Sequence, residues 1–334
     1  MKIIIPMAGR GTRLRPHTIT VPKPLVPVAG KPIVQHLVED LAKAYGSKID
    51  EIAYIVGDFG TAVEKQLVAL AERLGAKGSI YYQKEQLGTA HAILCAKESM
   101  SGPVIVAFAD TLFKADFKFD NSQEGIIWVK QVTDPSAFGV VKLDEKGHIT
   151  DFVEKPDTFV SDLAIIGIYY FKDAEYLRDE LQYLLDNDLR EKGEYQLTNA
   201  LENMKRKGTR FSTHSISEWL DCGNKDAVIY ANSRVLEIKS ETASIATDAK
   251  FTNVTIIPPV HIGSGAVIKN SVIGPHVTIG RACRINNSVI SKSLIQDACK
   301  ISYAVLENTM LGSSVELFGK AEELSLGDFS VKKN

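Results

Sequence analysis

The sequence predicts an α/β fold built on a largely parallel sheet, followed by a parallel β-helix. Up to about residue 238, apolar strand-like segments alternate with segments of helical periodicity. That order places helices on both faces of a mostly parallel sheet. From about residue 250 the helical periodicity stops, and branched apolar residues recur at steps of five or six residues, which is typical of a hexapeptide β-helix. We therefore predict one domain over residues 1–240 and a second over residues 245–334.

The first domain is predicted to alternate strands with helices and then to turn to strands. Apolar runs predict strands at 2–6, 52–56, 79–83 and 104–109, separated by amphipathic helices at 32–45, 61–74 and 89–97. Strands at 126–132, 138–143, 148–153 and 164–171 follow, then helices at 174–185 and 197–205, a strand at 210–215 and a helix at 227–238. This order predicts a Rossmann-like mixed sheet, whose ligands bind outside the carboxyl ends of the strands.

The second domain is marked by a regular apolar repeat. Small or turn residues fill the gaps between the apolar positions, and glycines follow several of them directly. Each short strand is expected to stack on the strand six residues away or on the one three strands further on. A β-sandwich is the alternative, and the regular step argues against it. The repeat is carried by Ile256, Ile262, Ile268, Ile273, Ile279, Ile285, Ile290, Ile295 and Ile301.

Composition excludes several classes of partner. The net charge of −2 does not indicate binding to nucleic acid or to a membrane surface. The first apolar run, at residues 3–7, is too short for a signal peptide, and no later run reaches 18 apolar residues. Four cysteines without metal-site spacing are expected to be reduced thiols of a cytoplasmic protein. Of these, Cys283 and Cys299 lie one repeat apart and are expected to stack, with a disulfide left open.

A glycine-rich basic loop, G-R-G-T-R-L-R-P, directly follows the first strand. Gly9 and Gly11 let a backbone approach a ligand closely, and free N–H groups in such a loop bind anions. Arg13 and Lys23 add two cations, so the pattern predicts a polyphosphate ligand. The spacing is not that of a dinucleotide fingerprint, because Leu14 stands in the place of the third glycine, and no G-K-S/T follows as in a Walker A loop.

The motif P-M-A-G-R-G-T-R-L, followed by P-K-P-L-V-P-V, strongly resembles the signature of sugar-1-phosphate nucleotidylyltransferases, also called nucleotide-sugar pyrophosphorylases. The resemblance covers essentially the whole chain, and the terminal repeat looks like the left-handed β-helix that many members carry. It implies an enzyme that joins a nucleoside triphosphate to a sugar 1-phosphate and releases pyrophosphate. The further matching segments are Gln83 with G-T-A at 88–90, Asp110, F-G-V-V at 138–141, E-K-P at 154–156, G-I-Y at 167–169 and W-L-D at 219–221.

The resemblance implies a role for each matching charged residue. Arg13 would grip the triphosphate and stabilise the leaving pyrophosphate, and Lys23 would bind the phosphate of the sugar or of the transferring group. Asp110 and Asp221 would jointly hold a Mg²⁺ ion, which prefers hard oxygen ligands. Both aspartates are expected to end strand-like segments.

The resemblance divides the remaining site residues between the two substrates. Gln83 would read the edge of the nucleobase, and Glu154 and Lys155 would meet the hydroxyls and the phosphate of the sugar. Thr89 is also a candidate helix cap. The nucleotide side comprises Ala8, Gly9, Gly11, Thr12, Arg13, Gln83, Gly88, Thr89 and Asp110. The sugar-phosphate side comprises Gly139, Glu154, Lys155, Gly167 and Trp219.

The sequence leaves the substrates open. Ala8 stands where many members have glycine, a variant more like the uridylyltransferases, so dTTP or UTP with glucose 1-phosphate is the leading expectation. GTP with mannose 1-phosphate is an alternative. A catalytically silent regulatory or assembly subunit is another, although Arg13, Lys23 and both aspartates are present.

The β-helix has two possible uses. A homo-oligomer is expected, because stacked coils present flat faces and an open end that must be capped or paired. His261 and His276 leave an acyltransferase activity conceivable, but the repeat is short and lacks a long inserted arm.

Overall fold

The computed structural model describes residues 1–9, 11–114, 119–239, 244–320, 325, 327–328 and 330–332. The chain divides into two compact units. The first comprises residues 1–26 and 31–227, and the second comprises residues 27–30 and 228–334. The domain boundary that the sequence predicts falls largely on residues 240–243, outside the described residues. The predicted fold class, a mixed α/β domain followed by a parallel β-helix, is confirmed.

The regular elements before residue 240 follow the predicted order. The strands are β1 (Lys2–Pro6), β2 (Pro27–Val28), β3 (Lys31–Pro32), β4 (Glu51–Val56), β5 (Lys77–Tyr82), β6 (Val104–Ala107), β7 (Thr111–Phe113), β8 (Gly125–Gln131), β9 (Gly139–Leu143), β10 (Ile149–Glu154), β11 (Leu163–Phe171), β12 (Phe211–Ser215) and β13 (Trp219–Asp221). The helices are α1 (Ile33–Tyr45), α2 (Thr61–Arg73), α3 (Thr89–Leu94), α4 (Ala174–Asp186), α5 (Leu197–Arg206) and α6 (Lys225–Lys239), with 3₁₀ turns at Thr12–Leu14, Lys23–Leu25 and Lys97–Ser99.

The central sheet of the first unit is mixed. Its strand order is β10-β9-β11-β6-β1-β4-β5, and β8 and β12 extend it beside β11. Strands β6, β1, β4 and β5 are parallel neighbours, with Ile4 lying between Ala53 and Val106. Strand β11 runs antiparallel to β6. Because four parallel strands end at one edge, the loops that follow them meet there.

Helices α1 and α4 show why the sequence folds as predicted. The apolar stripe of α1, which includes Leu37 and Leu41, is fully buried. The helix ends at Gly46, whose φ of 68° is the left-handed conformation of a glycine C-cap. At the start of α4, the Asp173 carboxylate accepts a hydrogen bond of 2.8 Å from the backbone N–H of Tyr176.

Two local predictions near the sheet edge were wrong. The strand predicted at 104–109 ends at Ala107, and the short strand β7 follows after a turn. The helix predicted at 89–97 ends at Leu94, and a 3₁₀ turn follows. Each strand of the β7–β13 pair has three residues, which is too short to show a periodic pattern.

The second unit carries the stacked coils. Its strands are β14 (Ser244–Ile245), β15 (Lys250–Ile256), β16 (Val260–Ile262), β17 (Val267–Ile273), β18 (Val277–Ile279), β19 (Arg284–Asn286), β20 (Val289–Ser291), β21 (Ser293–Ile295), β22 (Lys300–Ser302), β23 (Val305–Glu307), β24 (Met310–Leu311) and β25 (Glu316–Phe318). Ile256 pairs with Ile273, and Ile273 pairs with Ile290, so a strand stacks on the one a full coil away, 17 residues along the chain.

The isoleucine repeat forms the core of the coils. From Ile262 to Ile301 the eight repeat isoleucines are buried, and Ile256 packs against them. Asparagines occupy some of the left-handed corners: Asn253 and Asn270 have φ of 53° and 47°, and their side chains hydrogen-bond at 3.2 Å. Cys283 and Cys299 stack as expected and are buried free thiols, which donate to the backbone carbonyls of Gln296 at 3.1 Å and Gly312 at 3.0 Å.

None of the helices in the described ranges is long and apolar enough to cross a membrane.

Candidate active site

A cavity of about 380 Å³ opens where β1, β5 and β6 end. The chain leaves each of these strands into the cavity wall, as expected for the carboxyl edge of a parallel sheet. All ten residues predicted to bind the nucleotide or its phosphates line the cavity. Arg10 of the same loop, which was not among the ten, lies outside the described residues. The ten are Ala8, Gly9, Gly11, Thr12, Arg13, Lys23, Gln83, Gly88, Thr89 and Asp110.

The glycine-rich loop is shaped by Gly11. Its φ is 58°, and a Cβ there would lie 2.8 Å from the Cβ of Lys23. The Thr18 hydroxyl donates a 2.7 Å hydrogen bond to the Gly11 carbonyl and closes the turn. Gly9 has neither a positive φ nor a neighbour within 4 Å of an added Cβ, so the two glycines are not equivalent, contrary to the prediction. The turn then places Arg13 in the wall of the cavity.

Lys23 is held against the first aspartate. Its Nζ lies 2.9 Å from Asp110 Oδ2, and its side chain is only 10% exposed, against 43% for Asp110. A nearly buried ammonium requires a partner, and this carboxylate supplies one. The sequence indicated two separate roles for these residues, and it did not predict their ion pair.

Asp110 and Asp221 are brought together by the short β7–β13 ladder. Asp221 lies opposite Thr111, the residue after Asp110, and the backbone N–H of Cys222 donates to the Asp110 carbonyl at 3.0 Å. Asp221 ends β13 as expected, whereas Asp110 precedes β7 instead of ending a strand. Burial, and then the nearby charge of Asp110, raise the pKa of Asp221 above its usual value.

This pair of carboxylates fits a magnesium ion. Magnesium is commonly bound by one or two carboxylates together with substrate phosphates. The repulsion of Asp110 that contributes to the raised pKa of Asp221 would be relieved by a bound cation. Across the part of the chain that the structure describes, no group of three or more His, Cys, Asp or Glu side chains could hold a metal by itself.

The far wall of the cavity carries Gln83 and Gly88. Gln83 is 5% exposed, and its side-chain Nε2 lies 3.3 Å from the Gly88 carbonyl and 3.2 Å from Nδ1 of His91. Gly88 has a φ of 113°, and a Cβ there would lie 2.5 Å from the carbonyl oxygen of Tyr195. Glycine at 88 is therefore required by the protein's own backbone, apart from any bound base.

Thr89 does not cap its helix, contrary to the prediction. Gly88 is the N-cap residue of α3, and the Thr89 hydroxyl makes its bonds elsewhere. It donates to Gln196 Oε1 at 3.2 Å and accepts from the backbone N–H of Leu197 at 2.9 Å. Thr89 thus ties the start of α3 to the start of α5.

Three of the predicted sugar-side residues cluster on β9 and β10. Glu154 Oε1 lies 3.7 Å from Lys155 Nζ, and a Cβ on Gly139 would lie 3.0 Å from Glu154 Oε2. Burial raises the pKa of Glu154, and the charge of Lys155 opposes that rise. Thr198 also contacts the Glu154 carboxylate, at 3.5 Å. These residues do not line the cavity described above.

The other two sugar-side residues lie on the strands around the aspartates. Gly167 has a φ of 82°, and a Cβ there would lie 3.3 Å from the Thr111 hydroxyl and 3.4 Å from Phe108, a cavity residue. Trp219 packs edge-on against Phe138 with ring centroids 4.9 Å apart. Its indole Nε1 is buried without a hydrogen-bond partner among the described residues.

Sequence reasoning missed the segment Glu194–Thr198. Glu194 lines the cavity, the Tyr195 backbone contacts Gly88, and Gln196 bonds Thr89. Thr198 then reaches Glu154. The segment thus joins the nucleotide wall to the sugar-side cluster. Gln86, another cavity residue, was also not predicted from the sequence. Its Nε2 donates to the Ala8 carbonyl at 3.3 Å.

Two family models together match residues 2–307 of the chain. The model described as "Nucleotidyl transferase" matches residues 2–238, and the model "GlmU-like, C-terminal hexapeptide" matches residues 232–307. The chain belongs to the nucleotidyl transferase family. The predicted membership among sugar-1-phosphate nucleotidyltransferases, and with it the predicted enzyme class, is confirmed.

Curated relatives support the same assignment. The chain is 33% identical over 259 residues to the low-salt glycan biosynthesis nucleotidyltransferase Agl11 of Haloferax volcanii, covering 75% of this chain and 70% of that protein. It is 32% identical to the bifunctional protein GlmU of Methanococcus maripaludis, covering 80% of this chain and 62% of that protein. It is 39% identical over 194 residues to the mannose-1-phosphate guanylyltransferase catalytic subunit beta of Danio rerio, covering 54% of this chain and 52% of that protein. The chain thus spans less than two thirds of the latter two relatives.

Solved structures agree with the fold. A UDP-glucose pyrophosphorylase complexed with UDP-glucose is 26% identical with a TM-score of 0.59, covering 71% of this chain and 98% of that one. An apo-UDP-glucose pyrophosphorylase is 26% identical with a TM-score of 0.58, covering 72% of this chain and 99% of that one.

Proposed function

We propose that the protein transfers the nucleotidyl group of UTP or dTTP to glucose 1-phosphate, giving a nucleotide-activated glucose and pyrophosphate. The observation that carries this proposal is the convergence of Arg13, Lys23 and Asp110 on one cavity, with Asp221 beside Asp110. Two polyanions must be brought together in this reaction, and the cavity supplies positive charge beside a pair of carboxylates.

The chemistry needs placement and charge stabilisation more than a protein nucleophile. An oxygen of the sugar phosphate attacks the α-phosphorus of the triphosphate, and the bond from that phosphorus to the pyrophosphate oxygen breaks. Arg13 binds the triphosphate and stabilises the negative charge that leaves with pyrophosphate. Lys23, already in the cavity wall, offers its ammonium to the phosphate that is transferred.

The ion pair of Lys23 prepares the site for its substrates. Lys23 and Asp110 neutralise each other while the cavity holds no anion. Bound to Asp110 and Asp221, Mg²⁺ would neutralise charge on the phosphates and act as a Lewis acid there. An incoming phosphate can take the place of Asp110 as the partner of the Lys23 ammonium.

The sugar is proposed to bind at the β9–β10 cluster. Glu154 accepts hydrogen bonds from sugar hydroxyls, Lys155 meets the sugar phosphate, and Gly139 leaves room beside Glu154. Gly167 and Trp219 are proposed to border the sugar at the same part of the site. The segment Glu194–Thr198 contacts both Gly88 and Glu154, which supports a sugar placed next to the nucleotide.

The proposed nucleotide and sugar rest on two further points. Ala8 is the variant that resembles the uridylyltransferases, and the solved relative at a TM-score of 0.59 carries UDP-glucose. The pairing of GTP with mannose 1-phosphate stays the second candidate, because the Danio rerio guanylyltransferase subunit is the relative reported above with the highest identity, 39%.

We further propose that the β-helix serves assembly into a homo-oligomer. On one face, Val289 stacks on Val305 in register, and both are exposed, as are Tyr303 and Phe318. Aligned exposed apolar side chains on a sheet face are typical of an interface. Light scattering should give an oligomer for the intact chain, and Val305→Lys should reduce its size. A monomer at micromolar concentration would contradict this proposal.

A substrate panel tests the proposed reaction. The purified chain should be supplied with five triphosphates (UTP, dTTP, GTP, ATP and CTP), each combined with glucose, mannose and glucosamine 1-phosphates in the presence of Mg²⁺. Pyrophosphate release should be fastest with UTP or dTTP and glucose 1-phosphate. Fastest release with GTP and mannose 1-phosphate would favour the second candidate, and no release in any combination would indicate a catalytically silent subunit.

A further inference from the structure

The amide of Gln83 has one orientation that its surroundings permit. Its Nε2 lies 3.3 Å from the Gly88 carbonyl oxygen, which accepts hydrogen bonds and cannot donate them. Turning the amide over would bring two carbonyl oxygens together at that distance. Among the described residues, Gln83 Oε1 has no partner, and Gln83 lines the cavity. The acceptor oxygen is therefore the atom that Gln83 offers to a bound base.

The ring of His91 fits this orientation. Its Nδ1 lies 3.2 Å from Gln83 Nε2, and since Nε2 is a donor, Nδ1 must be the acceptor of a neutral ring. The proton of the neutral ring then sits on Nε2. Burial lowers the pKa of His91, which keeps the ring neutral.

We propose that His91 is a positioning residue for base selection: its Nδ1 holds the Gln83 amide so that Oε1 faces the nucleobase. The contacts of Gln83 Nε2 with His91 and with the Gly88 carbonyl fix an acceptor at the base end of the cavity. His91 itself does not line the cavity, so it acts through Gln83 alone. Sequence analysis gave His91 no role in the site, because its partner depends on the turn at Gly88.

A fixed acceptor divides the nucleobases into two classes. Uracil and thymine carry an N–H at ring position 3, and guanine carries one at position 1, so each can donate to Oε1. Cytosine and adenine carry a lone pair at the corresponding nitrogen, which faces Oε1 unfavourably. This inference rests on the proposed function, since it names which triphosphates the same cavity selects.

Two substitutions separate positioning from packing. His91→Leu keeps much of the side-chain volume but removes the acceptor, whereas His91→Gln keeps an acceptor that can face the Gln83 amide. The matched control is His148→Leu, because His148 is an exposed histidine on the β9–β10 turn. For each full-length protein, kcat and KM are measured with UTP and CTP at saturating glucose 1-phosphate. Equilibrium binding of UTP and CTP is measured without the sugar phosphate.

The expected result is a loss of discrimination in His91→Leu alone. The ratio of kcat/KM for UTP to that for CTP should fall about 2- to 12-fold, the range that one neutral hydrogen bond carries. The change should appear in KM and in binding, with kcat for UTP nearly unchanged. His91→Gln and the control should keep the ratio within about twofold of the wild-type value.

Two results would overturn the inference. If the ratio of kcat/KM for UTP to that for CTP is unchanged in folded His91→Leu, the histidine does not hold the Gln83 amide in its orientation. Equal losses in His91→Leu and His91→Gln would show a packing role. A wild-type preference for GTP would contradict the proposed nucleotide but not this inference, because guanine also carries the ring N–H. The same ratios would then be measured with GTP and ATP.

Discussion

Removing the ammonium of Lys23 should separate catalysis from folding. In Lys23→Ala the Cβ that packs beside Gly11 is kept, while the charge on the cavity is lost. Asp110, the partner left behind, is 43% exposed and can be hydrated, so no isolated buried charge is created. The free energy of unfolding should therefore fall by about 1 kcal/mol, the typical cost of a single substitution, part of it from the lost packing of the nearly buried Lys23 stem.

The loss of catalysis should be much larger than the loss of stability. One preorganised charge contact to the reacting phosphates contributes about 10²–10³ in rate, so kcat/KM should fall by that factor. Pyrophosphate release with UTP and glucose 1-phosphate measures the rate, and urea denaturation measures stability.

The matched control is Lys31→Ala, which removes an exposed lysine from the same stretch of chain, paired at 2.8 Å with Glu39. Its kcat/KM should stay within about twofold of the wild-type value. A folded Lys23→Ala protein with kcat/KM within threefold of wild type would refute the role given to Lys23.

Three further changes test other parts of the account. EDTA should abolish turnover and Mg²⁺ restore it, and Asp221→Asn should raise the Mg²⁺ concentration needed for half-maximal rate; full activity in metal-free buffer would remove both aspartates from the site. Gly88→Ala should lower stability and activity together, because the new Cβ would meet the Tyr195 carbonyl at 2.5 Å, and normal urea denaturation would contradict this. Ile290→Ala in the β-helix core should cost about 2–5 kcal/mol of unfolding free energy, whereas Val305→Ala, at an exposed position, should change it by about 0.5 kcal/mol or less. Equal effects of the last two substitutions would contradict the observed packing of the coils.

The sequence predicted the elements whose signal is periodic. The buried strands β1 and β4, the apolar stripe of α1 and the isoleucine repeat all follow from a period that one face of the element must keep. The phosphate loop could also be found, because glycines and cations directly after a first strand have few other uses.

Contacts between distant segments could not be read in the same way. The β7–β13 ladder has three residues on each strand, and no pattern in so few residues reveals that it sets Asp110 beside Asp221. Gly88 was predicted as a nucleotide-binding residue, but an added Cβ there would first meet the backbone of Tyr195, more than a hundred residues away in the chain.

The inclusion of residues 27–30 in the second unit was also unpredicted. The N–H of Ala29 donates to Asn232 Oδ1 at 2.9 Å, and a Cβ on Gly30 would clash with the ring of His261. These contacts join segments that are distant in the sequence, and no local pattern around the glycine or the asparagine predicts them. Cutting the chain at residue 245 would remove His261, a neighbour of this segment, so every assay should use the intact chain.

The most direct test of the central claim follows the phosphorus atoms of the triphosphate. UTP labelled with phosphorus-32 on the α-phosphate, or separately on the γ-phosphate, is incubated with glucose 1-phosphate, Mg²⁺ and the intact chain. The account predicts that the α-label passes into UDP-glucose and the γ-label leaves as pyrophosphate, in equal amounts, and that both transfers are slowed alike in Lys23→Ala. Release of the γ-label as free phosphate, or retention of the α-label in free nucleotide, would contradict nucleotidyl transfer at this site.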